Sequence, residues 1–221
     1  MADQPTPTQS TTMQTQSENL AAPESATYPT PIITTSRLII RPMHLPDAAS
    51  TSQNADNPLV AKYMSLSFPS PYTLERAEEW INMNTALPYQ EAFVICERSS
   101  PHIVIGGIGM KTGADVYART GEVGYWMSQA YWGKGYMTEA LGGFVRWVFE
   151  NWNKNGQRVT RICGNVFSSN VGSMRCFEKC GFAHEGVMKG HAEKHGVVMD
   201  VHIFGLTKLD WEKRMNEAST N

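Results

Sequence analysis

The run Tyr131-Trp132-Gly133-Lys134-Gly135-Tyr136-Met137-Thr138 places two glycines and a lysine at the start of a strongly helical pattern, a combination suited to holding an anion. Glycine has no Cβ to keep a bulky anion off the backbone. The first turn of a helix leaves its N–H groups without intrahelical partners, and the aligned peptide dipoles add roughly half a positive charge there. Lys134 adds a full charge, so the amides from Gly133 to Thr138 form a cradle for phosphate oxygens. Taken alone, Gly-Lys-Gly serves equally as a surface turn. Two other phosphate motifs fit worse: no GxxxxGK[ST] is present, and the third glycine of a GxGxxG is Thr138 here.

Metal chemistry finds weaker material. Cys176 and Cys180 lie four apart on an expected helix, with His184 four further on, but the trio lacks CxxC spacing. Reduced, mostly buried thiols are the better reading of Cys96, Cys163, Cys176 and Cys180, which do not form a disulfide framework. His191-Ala192-Glu193-Lys194-His195 has the histidine spacing of HExxH. Its glutamate is misplaced, however, and the segment reads as a loop where a zinc site needs a helix. No metal is expected.

The elements that must position the glycine loop follow from periodicity. Gly121 to Ser128 reads as a strand leading into it. Met137, Ala140, Leu141, Phe144, Val145, Val148, Phe149 and Trp152 then recur at helical spacing, the clearest amphipathic helix in the chain. Upstream, Ile32 to Arg41 reads as one strand ending at Pro42, and Pro46-Asp47-Ala48-Ala49 opens a short helix. Pro58 starts another helical turn, and Thr73 caps a helix that Pro88 stops. Phe93–Glu97 and His102–Met110 read as a hairpin, with Gly106-Gly107 marking a bulge or a close backbone approach. Downstream come a strand from Arg161 to Val166, a helix from Asn170 to a C-cap at Gly181, and two strands, Phe182–Met188 and Val197–Leu206. This order gives an α+β fold: a mixed, mostly antiparallel sheet with one parallel crossover at the long helix.

The chain has 221 residues, 41% of them hydrophobic, and a formal charge of −2, enough for one substantial domain and without the basic footprint of a nucleic-acid binder. No apolar run approaches the roughly 18 residues of a spanning helix, so no membrane partner is expected. Residues 1–30 are rich in Thr, Gln, Ser and Pro and contain no Lys or Arg, which predicts a disordered tail with neither a transit peptide nor a secretory signal. The expected location is the cytoplasm, with the nucleus also open. The domain spans 31–209, and 210–221 forms a polar C-terminal segment.

Gly124-Tyr125-Trp126 followed by Trp132-Gly133-Lys134-Gly135-Tyr136-Met137-Thr138-Glu139-Ala140 resembles the acetyl-CoA signature of the GNAT superfamily of N-acetyltransferases. Three further stretches resemble its ribosomal-protein-type, RimJ/RimL-like branch. They are Thr35-Ser36-Arg37-Leu38 with Arg41-Pro42 and Asp47-Ala48, then Pro71-Tyr72-Thr73 before Ala77, and finally Asn170-x-x-Ser173 with Glu178-Lys179-Cys180-Gly181-Phe182. The resemblance implies a sheet whose fourth and fifth strands splay apart, flanked by about four helices. It implies acetyl-CoA as co-substrate, its pyrophosphate on the amides of the loop Trp132, Gly133, Lys134, Gly135, Tyr136, Met137 and Thr138. The pantetheine arm would lie between Trp126, Met127 and Ser128 on one strand and Asn165 on the other, with Asn170 nearby. A main-chain N–H near Trp126 or Met127 would hold the oxyanion. Trp132 and Met137 depart mildly from the family pattern.

The implied reaction is transfer of an acetyl group to a primary amine by direct attack. A lysine amine costs about 4.6 kcal/mol to deprotonate at pH 7 and an α-amine only about 1.1, so an α-amino acceptor needs little base strength. Glu122 is the candidate base, with a solvent-facing carboxylate as its plain alternative. The family's tyrosine acid falls at Phe177, which has no hydroxyl; Ser173, one turn earlier, is the candidate acid or else an ordinary helix hydroxyl. Tyr63, Phe68 and Tyr72 could line an acceptor pocket or pack under a loop. The acceptor, a protein N-terminus or a small-molecule amine, and the state, monomer or homodimer, stay open. A non-catalytic acyl-CoA-binding module is the alternative that Phe177 motivates, and an oxidoreductase that binds NAD is a distant third.

Overall fold

The computed structural model describes residues 28–220. Most of the polar tail expected ahead of the domain lies outside the described residues. Tyr28 is placed, its ring 5.5 Å from the Arg41 guanidinium. In chain order the elements are β1 (Ile33–Thr34), β2 (Leu38–Arg41), α1 (Ala48–Ala55), α2 (Pro58–Ala61), α3 (Leu74–Thr85), β3 (Ala92–Glu97), β4 (Ser100–Thr112) and β5 (Thr120–Met127). They continue with α4 (Tyr136–Asn151), β6 (Asn153–Lys154), β7 (Gln157–Arg158), β8 (Arg161–Phe167), α5 (Val171–Lys179), β9 (Ala183–Lys194), β10 (Val197–Thr207) and α6 (Lys208–Thr220).

Eight strands form one sheet in the order β1-β2-β3-β4-β5-β8-β10-β9, antiparallel throughout except where β5 meets β8. This is the α+β architecture expected, with six helices among the described residues where about four were anticipated. One face of the sheet packs on α4 and α5. The stripe Ala140, Leu141, Phe144, Val145, Val148 and Phe149 is buried there, and burying each large apolar side chain contributes about 1.5–3 kcal/mol. The other face carries α1 and α3 around Ile39, Tyr72, Ala77, Ile81 and Val94.

Three local expectations change. Ile32 to Arg41 is a hairpin and not one strand: the Thr35 hydroxyl accepts from the Leu38 N–H at 3.0 Å, while the Thr35 N–H donates to the Leu38 carbonyl at 2.9 Å. β-branched composition cannot register a turn closed by a threonine side chain. Asn155 (φ 55°) and Gly156 (φ 78°) turn the small β6–β7 hairpin, an Asn-Gly signal the periodicity reading passed over. β9 and β10 also run further than expected, so His191 to Lys194 is strand and only His195-Gly196 turns.

The feature that matters for function is the short junction of β5 and β8. They pair only at Thr120–Arg161, Gly121–Ile162 and Glu122–Cys163. Beyond Glu122, β5 stays with β4 as far as Met127, whereas β8 stays with β10 as far as Phe167. With the β1–β2 arm counted once and the β6–β7 hairpin left aside, these are the fourth and fifth strands, and they diverge into a wedge-shaped gap.

Candidate active site

The gap is lined by main chain. Ladder bonds alternate sides along an antiparallel strand. The Ser128 N–H donates to Ile105 at 2.9 Å and thus faces β4, so Trp126, of the same parity, faces β4 as well. Met127 and Tyr125 therefore turn their amides toward the gap, where no strand pairs with them. The Met127 carbonyl, on that side, accepts from the Trp132 indole N–H at 2.7 Å. Trp132 thus ties the start of the glycine loop back to the end of β5.

The loop then turns at Gly133 (φ 72°) and Gly135 (φ 75°), both in the left-handed region that disfavours any residue with a Cβ. Gly135 is the N-cap of α4, and no side chain caps the helix there. The amides of its first turn are left to solvent or to an anion. A Cβ built on Gly133 meets nothing within 4 Å, so space for an anion is open. Lys134 is exposed, its ammonium 5.5 Å from the Tyr131 ring.

What holds the loop in place is a contact between two of the sequence motifs, Thr35-Ser36-Arg37 and the first turn of α4. Glu139, one turn into α4, accepts from the Thr35 hydroxyl (2.6 Å), the Ser36 hydroxyl (2.9 Å), the Arg37 N–H (2.9 Å) and the Arg37 side-chain Nε (2.6 Å). Burial alone would raise its pKa, but the hydrogen bonds from Thr35, Arg37 and Ser36 outweigh burial and lower it to about 2. The same arginine donates to the Lys134 carbonyl at 3.0 Å and lies over the Tyr136 ring at 4.4 Å. The Tyr136 hydroxyl in turn donates to Glu97. The β1–β2 turn is a clamp on the loop.

At the junction itself, Glu122 and Asn165 are exposed on the α1–α3 face, and the Asn165 amide donates to the Glu122 carboxylate at 3.0 Å. On the opposite face the Tyr125 and Ser173 hydroxyls lie 2.8 Å apart. Burial pushes the Tyr125 phenol well above its ordinary pKa. Cys176 and Cys180 stand beside it. A hydrogen bond from Cys180 is the largest cause holding the Cys176 thiol down at about 7, and Cys180 is raised in turn. Both reach α4: the Thr138 hydroxyl donates to Cys176 at 3.6 Å, and the Cys180 thiol donates to the Thr138 carbonyl at 3.4 Å.

The sequence-derived candidates therefore fall into three places. Trp132 to Thr138 form the loop and the first turn of α4; Met127, Glu122, Asn165 and Ser173 border the gap. Trp126, Ser128 and Asn170 stand apart from it. The Trp126 side chain lies on the α1–α3 face, the Ser128 N–H is bonded to β4, and the Asn170 side chain caps α5 by accepting from the Ser173 N–H at 3.1 Å. Phe177 is core, 2% exposed and stacked on Phe204; a Cβ on Gly164 would lie 2.2 Å from its ring, so the glycine makes room for it. His184 hydrogen-bonds His202 at 3.0 Å and does not converge with the cysteines, which are all free. Among the described residues no group of three or more His, Cys, Asp or Glu could hold a metal ion, and no helix is long and apolar enough to cross a membrane. Sequence reasoning gave no role to Glu139, Arg37 or Tyr125. The Thr-Ser-Arg, Gly-Tyr-Trp and Thr-Glu-Ala motifs carried them unexplained.

Residues 37–183 match the family described as the acetyltransferase (GNAT) domain. The chain belongs to the GNAT acetyltransferase family. Among its relatives, the uncharacterized N-acetyltransferase YoaA of Bacillus subtilis is 30% identical over 181 residues, 80% of this chain and 97% of that protein. The uncharacterized N-acetyltransferase p20 of Bacillus licheniformis is 29% identical over 181 residues, 80% of this chain and 96% of the relative. In fold, the chain is similar to Mycobacterium smegmatis RimJ in complex with CoA-disulfide, with a TM-score of 0.67 at 20% identity, covering 78% of this chain and 83% of that one. RimL, a ribosomal L7/L12 alpha-N-protein acetyltransferase in complex with coenzyme A, superposes with a TM-score of 0.66 at 16% identity over 80% of this chain and 98% of that one. RimJ and RimL thus share the fold of this chain.

Proposed function

We propose that this protein transfers the acetyl group of acetyl-CoA to a primary amine by direct attack, drawing on a cytoplasmic acetyl-CoA pool. The observation that carries the reading is the gap opening between β5 and β8 just past Glu122, continuous with an uncapped helix N-terminus. The amides of Gly133 to Thr138 and Lys134 hold the diphosphate, and the open space at Gly133 admits it. The Met127 N–H donates to the thioester carbonyl oxygen, where negative charge grows as the amine attacks. Of the two main-chain donors considered for this role, Met127 is favoured over Trp126 by the alternation of the ladder.

The amine lone pair forms the new C–N bond as the C–S bond breaks. Glu122, oriented by Asn165, takes the amine's proton directly or through water. The thiolate takes a proton from the Ser173–Tyr125 hydroxyl pair. A thiol of ordinary pKa about 8.5 leaves readily, so this donor contributes little to the rate. Phe177, a core residue here, gives no reason to favour a non-catalytic module. The RimL relative, by name an alpha-N-protein acetyltransferase, suggests a protein N-terminus as one acceptor, with a small amine as the other.

Release of free CoA thiol from acetyl-CoA, measured across peptides, polyamines and small amines, tests the proposal. Turnover with at least one amine, reduced about 10²-fold or more by Glu122→Gln, is the expected result. Tight CoA binding without thiol release for any amine refutes it.

A further inference from the structure

On the α4–α5 face of the sheet, two thiols that the proposed mechanism does not use meet beside the first turn of α4. Cys176 lies in α5 and Cys180 is its C-cap, and the Cys180 N–H donates to the Cys176 carbonyl at 3.1 Å. Positions four apart share one helix face, so the two sulfurs lie side by side and hydrogen-bond one another. Both also hold the same residue of α4. The Thr138 hydroxyl donates to the Cys176 sulfur at 3.6 Å, and the Cys180 thiol donates to the Thr138 carbonyl at 3.4 Å. Thr138 is in the first turn of α4 and ends the run of amides that hold the diphosphate on the reading above. The state of the thiols therefore bears on the cofactor loop.

The two sulfurs differ in character. Hydrogen bonds from Cys180, then from Thr138 and Tyr125, hold the Cys176 thiol down at about 7 against its burial. Cys180 stays a thiol, raised by the same contact and by burial. A thiolate beside a protonated thiol is a nucleophile with its resolving partner. Cys176 is 6% exposed and Cys180 half-buried, which leaves an edge for a reagent little larger than water and shields the pair from bulky ones. The remaining cysteines, Cys96 and Cys163, sit on separate strands, β3 and β8.

Joining the two sulfurs alters the structure around them. Cα atoms four positions apart in a helix are about 6 Å apart, within disulfide range, but their Cβ atoms, at about 5–6 Å, must approach to about 4 Å. The last turn of α5 can give: Cys180 has left helical geometry at ψ 0°, and Gly181 follows at φ 90°. A disulfide removes the S–H that donates to the Thr138 carbonyl, and it draws the Cys176 sulfur off the Thr138 hydroxyl. Both of these fastenings between α5 and the first turn of α4 are lost in one step.

We infer that Cys176 and Cys180 form a peroxide-sensitive dithiol whose oxidation to a disulfide loosens the first turn of α4 and weakens cofactor binding. The Cys176 thiolate attacks one oxygen of hydrogen peroxide; the O–O bond breaks, hydroxide leaves and takes up a proton, and Cys176 becomes a sulfenic acid. The Cys180 sulfur then attacks the Cys176 sulfur; the S–O bond breaks, and water departs with the Cys180 proton as the S–S bond forms. The two thiols lose two electrons and two protons in all, and the peroxide is reduced to two waters. The effect on binding depends on the cofactor reading of the loop, whereas the disulfide itself is measured without it.

The test exposes the full chain, Cys176→Ser and Cys180→Ser to hydrogen peroxide, then maps the tryptic peptides by mass spectrometry. Trypsin cuts after Lys179, so the disulfide appears as two joined peptides that separate on reduction. Calorimetry with desulfo-CoA, which brings no thiol to the exchange, compares reduced and oxidised protein. The expected result is joined peptides in the wild type alone and an affinity about ten-fold weaker after oxidation, restored by dithiothreitol. Cys176→Ser, which lacks the nucleophile, should keep its affinity within about two-fold through the same treatment. Linkage adds a second measurement: desulfo-CoA must favour the reduced pair by the same factor, so the ratio of oxidised to reduced dithiothreitol at half-oxidation should rise about ten-fold in its presence. The inference is overturned if no joined peptides form, or if the disulfide leaves the affinity for desulfo-CoA unchanged; the cofactor reading survives both results. Reduced protein that fails to bind desulfo-CoA overturns the cofactor reading, and this inference with it.

Discussion

Glu139→Gln is the most informative single change. In the native side chain, Oε1 accepts from Thr35, Ser36 and the Arg37 N–H, while Oε2 accepts from the Arg37 Nε at 2.6 Å. The amide can keep the first three bonds through its oxygen, but its NH2 then faces the guanidinium, donor against donor. A hydrogen bond to a charged group contributes about 1.5–3 kcal/mol, and the 44% exposure of Arg37 moves the expected loss to the lower end, about 1.5–2 kcal/mol. For a chain of this size that is a fall in Tm of about 3–8 °C. Because the clamp holds the Lys134 carbonyl and the first turn of α4, the acetyl-CoA KM should rise about ten-fold while kcat changes little, the pattern of lost binding common to ground and transition states. The pH dependence supplies the sign. A carboxylate lowered to about 2 from an ordinary 4.5 stabilises the fold fully above about pH 4.5, and loses that contribution as pH falls toward 2. Wild-type and variant melting curves measured from pH 7 to 3 should therefore converge in Tm as the pH drops. Parallel Tm profiles, or an unchanged acetyl-CoA KM, would refute the clamp.

Two further outcomes follow from the same geometry. Gly135→Ala puts a Cβ on a residue at φ 75°, which costs about 1–2 kcal/mol and should show as weaker CoA binding by calorimetry together with a lower Tm; unchanged affinity would mean the loop amides do not bind the diphosphate. Tyr125→Phe leaves Ser173 without its partner at 2.8 Å and should lower stability by about 1 kcal/mol, read by denaturant titration, with a fall in kcat of only a few fold. A drop of several orders of magnitude would show that proton donation to the leaving thiolate limits the rate.

The parts of this molecule that were legible beforehand are those set by neighbours along the chain. The apolar stripe from Ala140 to Phe149 predicts α4, Thr73 and Asn170 are the caps of α3 and α5, and Gly181 turns at φ 90° after α5. Gly106-Gly107 reads as a bulge or a close approach and is both: the register with β3 shifts beside Gly106, and Trp126 sits on Gly107. What stayed hidden depends on partners about a hundred residues away. Nothing near Thr35 announces that its hydroxyl closes a turn and reaches Glu139, and nothing near Lys194 announces the carbonyls of α2. The Arg41-Pro42 and Asp47 motif is legible as a family mark, but its reason is a fully buried bidentate ion pair, 2.7 and 2.8 Å, which orients the entry to α1.

In the proposed reading main-chain atoms do the recognising of the cofactor, and this decides which sequence departures matter. If the loop amides hold the cofactor as proposed, Met137 in place of the family's small residue should change little, and Trp132 has a contact of its own in its donation to the Met127 carbonyl. Gly133 and Gly135 cannot vary in the same way, because positive φ and open space are properties of the backbone. On the proposed reading, cofactor recognition would thus fall to main chain at the wedge between β5 and β8, and a side-chain substitution there should matter less than one that moves the backbone.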